Sequence, residues 1–253
     1  MTTTNLNGKI ALVTGGTRGI GLETVRGLAK LGATVIIGAR DAQKGTEIAR
    51  QFREDGYDVS GIKLDINVHE DNEAAFRYLD EKYGKLDILV NNAGILLDQD
   101  NVSVGVVNRT STIPLQLVRD TFDANFFAQI DLTQQLLPLI RKSEAGRIVN
   151  LSSVLGSLTL QAEPSSPVYS VKTFAYNASK AAVNAFTIHL AAELRDTPIK
   201  VNSVHPGWVR TRLGGGAADI DEADGARTSI LAATLPDDGP TGSFLFESNT
   251  LPW

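Results

Sequence analysis

Short apolar, β-branched runs alternate with longer amphipathic stretches along nearly the whole chain, and this rhythm constrains the fold more than any other feature. Residues 9–14, 34–39, 60–64, 86–90, 147–151, 199–204 and 243–246 read as strands. Residues 20–31, 42–54, 69–83, 115–140, 176–194 and 222–235 read as helices between or beside them. The strands are apolar on both faces, as they must be when helices cover both sides of a parallel sheet. The expectation is an α/β fold with a doubly wound parallel sheet of about seven strands, flanked by helices on both faces. No repeat, low-complexity tract or linker divides the 253 residues, so residues 1–253 are expected to form one domain.

Composition narrows the function classes. A hydrophobic fraction of 42% and a charged fraction of 21% are ordinary for a globular chain, which argues against disorder. The net charge of −5 disfavours a nucleic-acid binder, which needs a basic face to displace counterions. There is no cysteine, so disulfides, thiolate metal sites and cysteine nucleophiles drop out. His69, His189 and His205 are scattered without ligand spacing, and no metal site is expected; His205, just before Pro206, reads as structural. Residues 1–9 are polar, and no apolar run approaches the roughly 20 residues of a membrane span. A cytoplasmic protein without a membrane partner is expected.

Two long stretches, residues 95–114 and 154–174, interrupt the rhythm. Both follow the carboxyl ends of strands, where open α/β sheets bind ligands, and loops of this length are commonly functional. The turn after the first strand is Thr14-Gly15-Gly16-Thr17-Arg18-Gly19-Ile20-Gly21. Glycines there let the backbone turn sharply and approach a pyrophosphate at the start of the next helix. The second strand ends in Arg40, where an acid would hold a ribose 2′-hydroxyl; with Arg18 it makes a guanidinium pair suited to a 2′-phosphate. Asp41 complicates that preference, since it could itself take a 2′-hydroxyl, although it also reads as the N-cap of the following helix. Asp65 ends the third strand and Asn91-Asn92-Ala93-Gly94 the fourth, beside the expected adenosine half of a dinucleotide.

With cysteine absent, the reactive group is sought among Tyr, Lys and Ser. Tyr-x-x-x-Lys puts both side chains on one helix face, where the ammonium favours the phenolate. The chain contains two such pairs. Tyr78-Leu-Asp-Glu-Lys82 lies in an acidic helix and reads as a solvated face. Tyr176-Asn-Ala-Ser-Lys180 opens the helix after the fifth strand, beside the expected site, and position selects it. Ser152 and Ser153 end that fifth strand.

Taken in order, Gly15-x-x-x-Gly19-x-Gly21, Asn91-Asn-Ala-Gly94, the strand-end serine and Tyr176-x-x-x-Lys180 resemble the short-chain dehydrogenase/reductase family over essentially the whole chain. The resemblance implies a Rossmann-like fold and hydride transfer between NADP(H) and a ketone or aldehyde, or the corresponding alcohol. It implies Tyr176 as general acid/base, Lys180 as its modulator and ribose ligand, Ser153 as the carbonyl-orienting hydroxyl, and Asn125 as the helix asparagine that holds a relay water. The cofactor set it implies is Gly15, Thr17, Arg18, Gly19, Ile20, Gly21, Arg40, Asp65, Ile66, Asn92, Ala93 and Gly94, with Tyr176 and Lys180. Pro206, Gly207, Val209 and Thr211 complete that set around the nicotinamide. The interval from Ser153 to Tyr176 is longer than in most of the family. With Asn125-Phe-Phe and Pro206-Gly-Trp-Val-Arg-Thr211 it is similar to the carbonyl reductase branch. A ketoacyl-carrier-protein reductase or a dinucleotide sensor without catalysis are the competing functions. A monomer is expected, on the argument that residues 161–174 fold over the helix bearing Asn125.

Overall fold

In the computed structural model, which describes residues 5–99, 102 and 108–253, the first apolar run forms β1 (Ile10–Thr14) and all five of its residues are buried. It is followed by α1 (Gly19–Lys30), β2 (Thr34–Ala39), α2 (Ala42–Glu54), β3 (Val59–Lys63), α3 (His69–Tyr83) and β4 (Ile88–Asn91). The second half runs α4 (Leu115–Phe122), a π-turn (Asp123–Phe127), α5 (Ala128–Ile140), β5 (Arg147–Leu151), a 3₁₀ turn (Val154–Gly156) and α6 (Leu158–Ala162). It ends with α7 (Phe174–Glu193), β6 (Lys200–Val204), α8 (Glu222–Ala233), β7 (Phe244–Phe246) and β8 (Asn249–Thr250). Parts of the 95–114 loop and of the polar start, on which sequence expectations fall, lie outside the described residues.

The strands order as β3-β2-β1-β4-β5-β6-β7-β8, all parallel except the last pair. β1 sits between β2 and β4, so the winding reverses there and a crevice opens at the carboxyl ends of the two strands. Side chains alternate across the sheet. Ala11 and Val13 pack with Val25 and Leu28 of α1, Phe52 of α2 and Ala232 of α8. Ile10 and Leu12 pack with Leu79 of α3, Leu132 and Leu136 of α5 and Leu190 of α7. Each large apolar side chain so buried contributes roughly 1.5–3 kcal/mol, which is why both faces need helices.

A polar ladder runs through the second of these interfaces. Asn91 Nδ2 donates to Thr133 Oγ1 and Asn150 Oδ1, both at 3.0 Å; Asn150 Nδ2 donates to Thr187 Oγ1 at 2.8 Å; and the Thr187 and Ser203 hydroxyls are 2.8 Å apart. A buried network of this kind is tolerated only when its members are paired, and it then fixes where α5 and α7 sit on β4, β5 and β6.

Three elements differ from the sequence expectation. The single helix expected over residues 115–140 is interrupted by the π-turn, because Asn125 turns its amide into tertiary bonds that hydrophobic periodicity does not register. Residues 154–174 are not all loop: Ser153 and Ser157 cap the 3₁₀ turn and α6. An eighth strand, Asn249–Thr250, folds back on β7 after Glu247 takes a left-handed φ of 52°.

Candidate active site

The crevice begins at the glycine turn. Gly15 and Gly19 have φ of +64° and +58°, which side-chain-bearing residues rarely adopt. Gly21 serves a different need: a Cβ there would lie 2.5 Å from both Asn92 Nδ2 and the Gly15 carbonyl. Asn92 holds that close approach by donating through Nδ2 to Thr14 O at 2.7 Å. Thr14 Oγ1 in turn accepts from the Asn92 and Ala93 amides at 2.9 and 3.0 Å. Among the described residues no side chain caps the start of α1, so its leading amides and the positive end of its dipole face the crevice.

A cavity of about 440 Å³ extends from this turn, and the predicted residues Gly15, Thr17, Ile20, Asp65, Ile66 and Gly94 all line it. Arg18 and Arg40 line one end together with Lys44, a third cation that the sequence reading missed. Its four-residue spacing from Arg40 was the available signal. Asp41 is the N-cap of α2, accepting from the Lys44 amide at 3.1 Å, which accounts for an acid at this position.

A second cavity, of about 670 Å³, shares Ile20, Asn92, Gly94, Leu151, Thr211 and Leu213 with the first, so the two adjoin. Ser153, Tyr176, Lys180, Pro206, Gly207 and Val209 line it. Val154, Val168, Val171, Trp208, Phe246 and Leu251 give it an apolar wall. The expectation that residues 161–174 lie over the helix bearing Asn125 is therefore corrected for Val168 and Val171, which line the cavity, while Phe174 is exposed. Small branched side chains gain burial there.

Tyr176 is buried in the first turn of α7, and Ser153 lines the same cavity. Burial pushes the phenol up to about 12, against the opposing effect of Ser153. Lys180 Nζ lies 5.8 Å from the Tyr176 ring centroid and donates to Leu151 O at 2.7 Å; burial pushes it down to about 8. The expected lowering of the tyrosine by the lysine is thus absent from this geometry, and the phenol is held in its proton-donating form. Ser152 Oγ instead donates to the Lys180 carbonyl at 3.3 Å, a contact that anchors α7 and distinguishes it from Ser153.

The other Tyr-x-x-x-Lys pair makes the contact that the first lacks. Lys82 Nζ donates to Tyr78 Oη at 3.0 Å. Burial pushes the Tyr78 phenol up, but hydrogen bonds from Lys82 and Ser60 outweigh it and leave the group below its ordinary value. Tyr78 is half-buried against the core rather than on a solvated face, a correction to the sequence expectation. It lines neither cavity, and that is what separates it from Tyr176.

Asn125 is fully buried at the π-turn, with Oδ1 accepting from the Ile95 amide at 2.8 Å. Its Nδ2 donates to Ile95 O at 2.9 Å and to Ser179 Oγ at 3.0 Å. It joins the β4 loop to α7, with both atoms of its side-chain amide engaged. His205, read as structural from sequence, lines the second cavity, accepts from the Val154 amide through Nδ1 at 3.2 Å, and is pushed down to about 4 by burial. Residues 214–218 are tied by Trp208 Nε1 to Gly214 O at 2.9 Å and by Arg210 to the Ala218 and Asp219 carbonyls.

Gly156 brings α7 against the end of β5: a Cβ there would lie 2.7 Å from the Lys180 carbonyl carbon and 2.8 Å from its Cβ. Gly156→Ala is expected to cost about 1–3 kcal/mol of stability and to displace Lys180. Urea unfolding checks this; an unchanged midpoint would contradict it.

A family model described as short chain dehydrogenase matches residues 9–220. The chain is 32% identical to Carbonyl reductase [NADPH] 1 of Homo sapiens, over 96% of this chain and 98% of that protein. It is 33% identical to Short-chain dehydrogenase anuI of Penicillium roqueforti (strain FM164), over 89% and 88%. Among solved structures it is similar to the NADPH-bound carbonyl reductase from chicken fatty liver, with a TM-score of 0.82 and 25% identity over 98% of this chain and 100% of that one.

Proposed function

The chain belongs to the short-chain dehydrogenase family, and from that premise we propose that it is an NADPH-dependent reductase of ketones or aldehydes, working reversibly on the alcohol. The observation that carries this reading is the wall shared by the two cavities: a groove lined by the glycine turn adjoins an apolar chamber lined by Tyr176, Ser153 and Lys180.

The groove fits an NADP(H) molecule on three counts. The turn at Gly15 and Gly21 leaves room for a pyrophosphate against the open amides of α1. Arg18, Arg40 and Lys44 supply positive charge for a 2′-phosphate, while Asp41 is engaged in capping. The segment from Pro206 through Val209 to Thr211 borders the junction of the cavities, where a nicotinamide would sit. When bound, the cofactor supplies the hydride.

The remaining work falls to the chain's own side chains. Ser153 lines the same cavity as Tyr176 and hydrogen-bonds the substrate carbonyl oxygen. Tyr176, protonated throughout the physiological range, donates its proton to that oxygen as negative charge develops. Lys180 contributes a positive charge beside the phenol and a donor for ribose hydroxyls. Asn125 keeps Ile95 and Ser179 in place around them. The lining of the chamber by Val168, Val171, Trp208 and Phe246 favours a carbonyl carrying a bulky apolar group. Loss of NADPH absorbance at 340 nm with a panel of aryl and alkyl ketones tests the reading; no turnover on any of them would contradict it.

The two directions should part with pH. Lys180 is charged below about 8 and neutral above it, so kcat/KM for NADPH in ketone reduction should fall as pH rises through about 8. Alcohol oxidation needs the Tyr176 phenolate, whose population grows toward about 12, so its rate should rise over the same interval until the loss of the Lys180 charge opposes it. Reduction that stays level from about pH 6 to 10 would exclude the assignment to Lys180.

A further inference from the structure

Asp98 belongs to the loop after β4, yet it is only 3% exposed and both of its carboxylate oxygens are engaged. Oδ2 accepts from the Ala175 amide and Oδ1 from the Tyr176 amide, each at 2.9 Å, across 77 and 78 positions of sequence. The leading amides of a helix have no partner inside it and need an acceptor from elsewhere. Thr173, at the N-cap of α7, directs its hydroxyl to Asn177 Oδ1 at 2.7 Å and caps no amide. The cap of the helix that carries Tyr176 therefore comes from a different loop.

That loop is fastened at two further points. Asn108 Nδ2 donates to the Asp98 carbonyl at 2.8 Å, and the Val102 amide donates to Leu213 O at 2.9 Å. Val102 and Leu213 both line the apolar chamber. The carboxylate that holds the backbone of Tyr176 and the residue that meets Leu213 at the chamber wall thus lie four positions apart in sequence. A carboxylate also suits the positive end of a 20-residue helix, where a neutral acceptor would be weaker.

We propose that Asp98 is a positioning residue for Tyr176: it fixes where the first turn of α7 presents the phenol. This rests on the reductase reading of the site. Asp98→Ala should lower kcat for ketone reduction between about 10- and 100-fold, the scale of a misplacement of about 1 Å, while KM for NADPH stays within about twofold. Asp98→Asn keeps one acceptor oxygen and should recover most of that loss. Amide hydrogen exchange gives a readout independent of turnover: residues 175 and 176 should lose protection in Asp98→Ala and regain part of it in Asp98→Asn.

An Asp98→Ala protein whose kcat per folded molecule equals that of the parent would reduce Asp98 to an ordinary cap and overturn the role. So would unchanged protection at residues 175 and 176. A parent protein that reduces no ketone would defeat the functional reading, and this role with it.

Discussion

Tyr176→Phe is expected to lower ketone-reduction kcat by about 10²–10⁴-fold, whereas Tyr78→Phe should leave it within about twofold. The two tyrosines form a comparison within one molecule, because each is followed four positions on by a lysine. Judged by electrostatics alone, Tyr78 is the better-activated phenol, with Lys82 donating to it at 3.0 Å. Tyr176 has the higher proton affinity and a place on the cavity wall. A reductase needs a proton donor beside the carbonyl, so location and protonation state both favour Tyr176. Removing the Tyr78 hydroxyl gives up its contacts with Ser60 and Lys82, a loss of about 0.5–1.5 kcal/mol per hydrogen bond that falls on stability. Steady-state rates of the two variants, with NADPH binding followed by fluorescence, check this. Similar rates would mean that the reaction occurs elsewhere.

Arg40→Asp should shift the ratio of kcat/KM for NADPH over NADH by about 10- to 100-fold or more toward NADH. The change removes a charge-assisted contact to the 2′-phosphate and adds an acid that repels it while accepting from a 2′-hydroxyl. Lys44 and Arg18 line the same end of the groove, so the variant should retain some use of NADPH. Lys44→Ala should then weaken NADPH further with little effect on NADH. A parent enzyme that uses both cofactors equally well would contradict the account of this cluster.

The alternation of apolar strands with helices was legible in the sequence because each strand of a sheet covered on both faces must be apolar throughout. The glycine turn and the Asn91–Gly94 segment were legible because close backbone approach admits few residue types. Of the duplicated pattern, the member that the family resemblance selected, Tyr176-x-x-x-Lys180, lines a cavity because it follows β5. What escaped sequence reading depends on contacts between distant segments. Asp98 looks like any polar loop residue until α7 is seen ending on it. The π-turn at Asp123–Phe127 leaves no periodic trace strong enough to divide a long helix. His205 is a lone histidine in sequence, and only the packing of β6 against β7 brings it to the chamber. That Val168 and Val171 line the chamber was not legible for the same reason, since apolar residues in an insertion do not disclose which surface they bury.

The most direct test of the central claim is to reduce an aryl ketone with NADPH carrying deuterium at the transferring position, in ordinary water, and to locate the label in the product. The account predicts one deuterium on the carbinol carbon and none on oxygen, with the label transferred at a rate that collapses in Tyr176→Phe while NADPH still binds. Product without deuterium at the carbinol carbon, or label transfer undiminished in Tyr176→Phe, would contradict it.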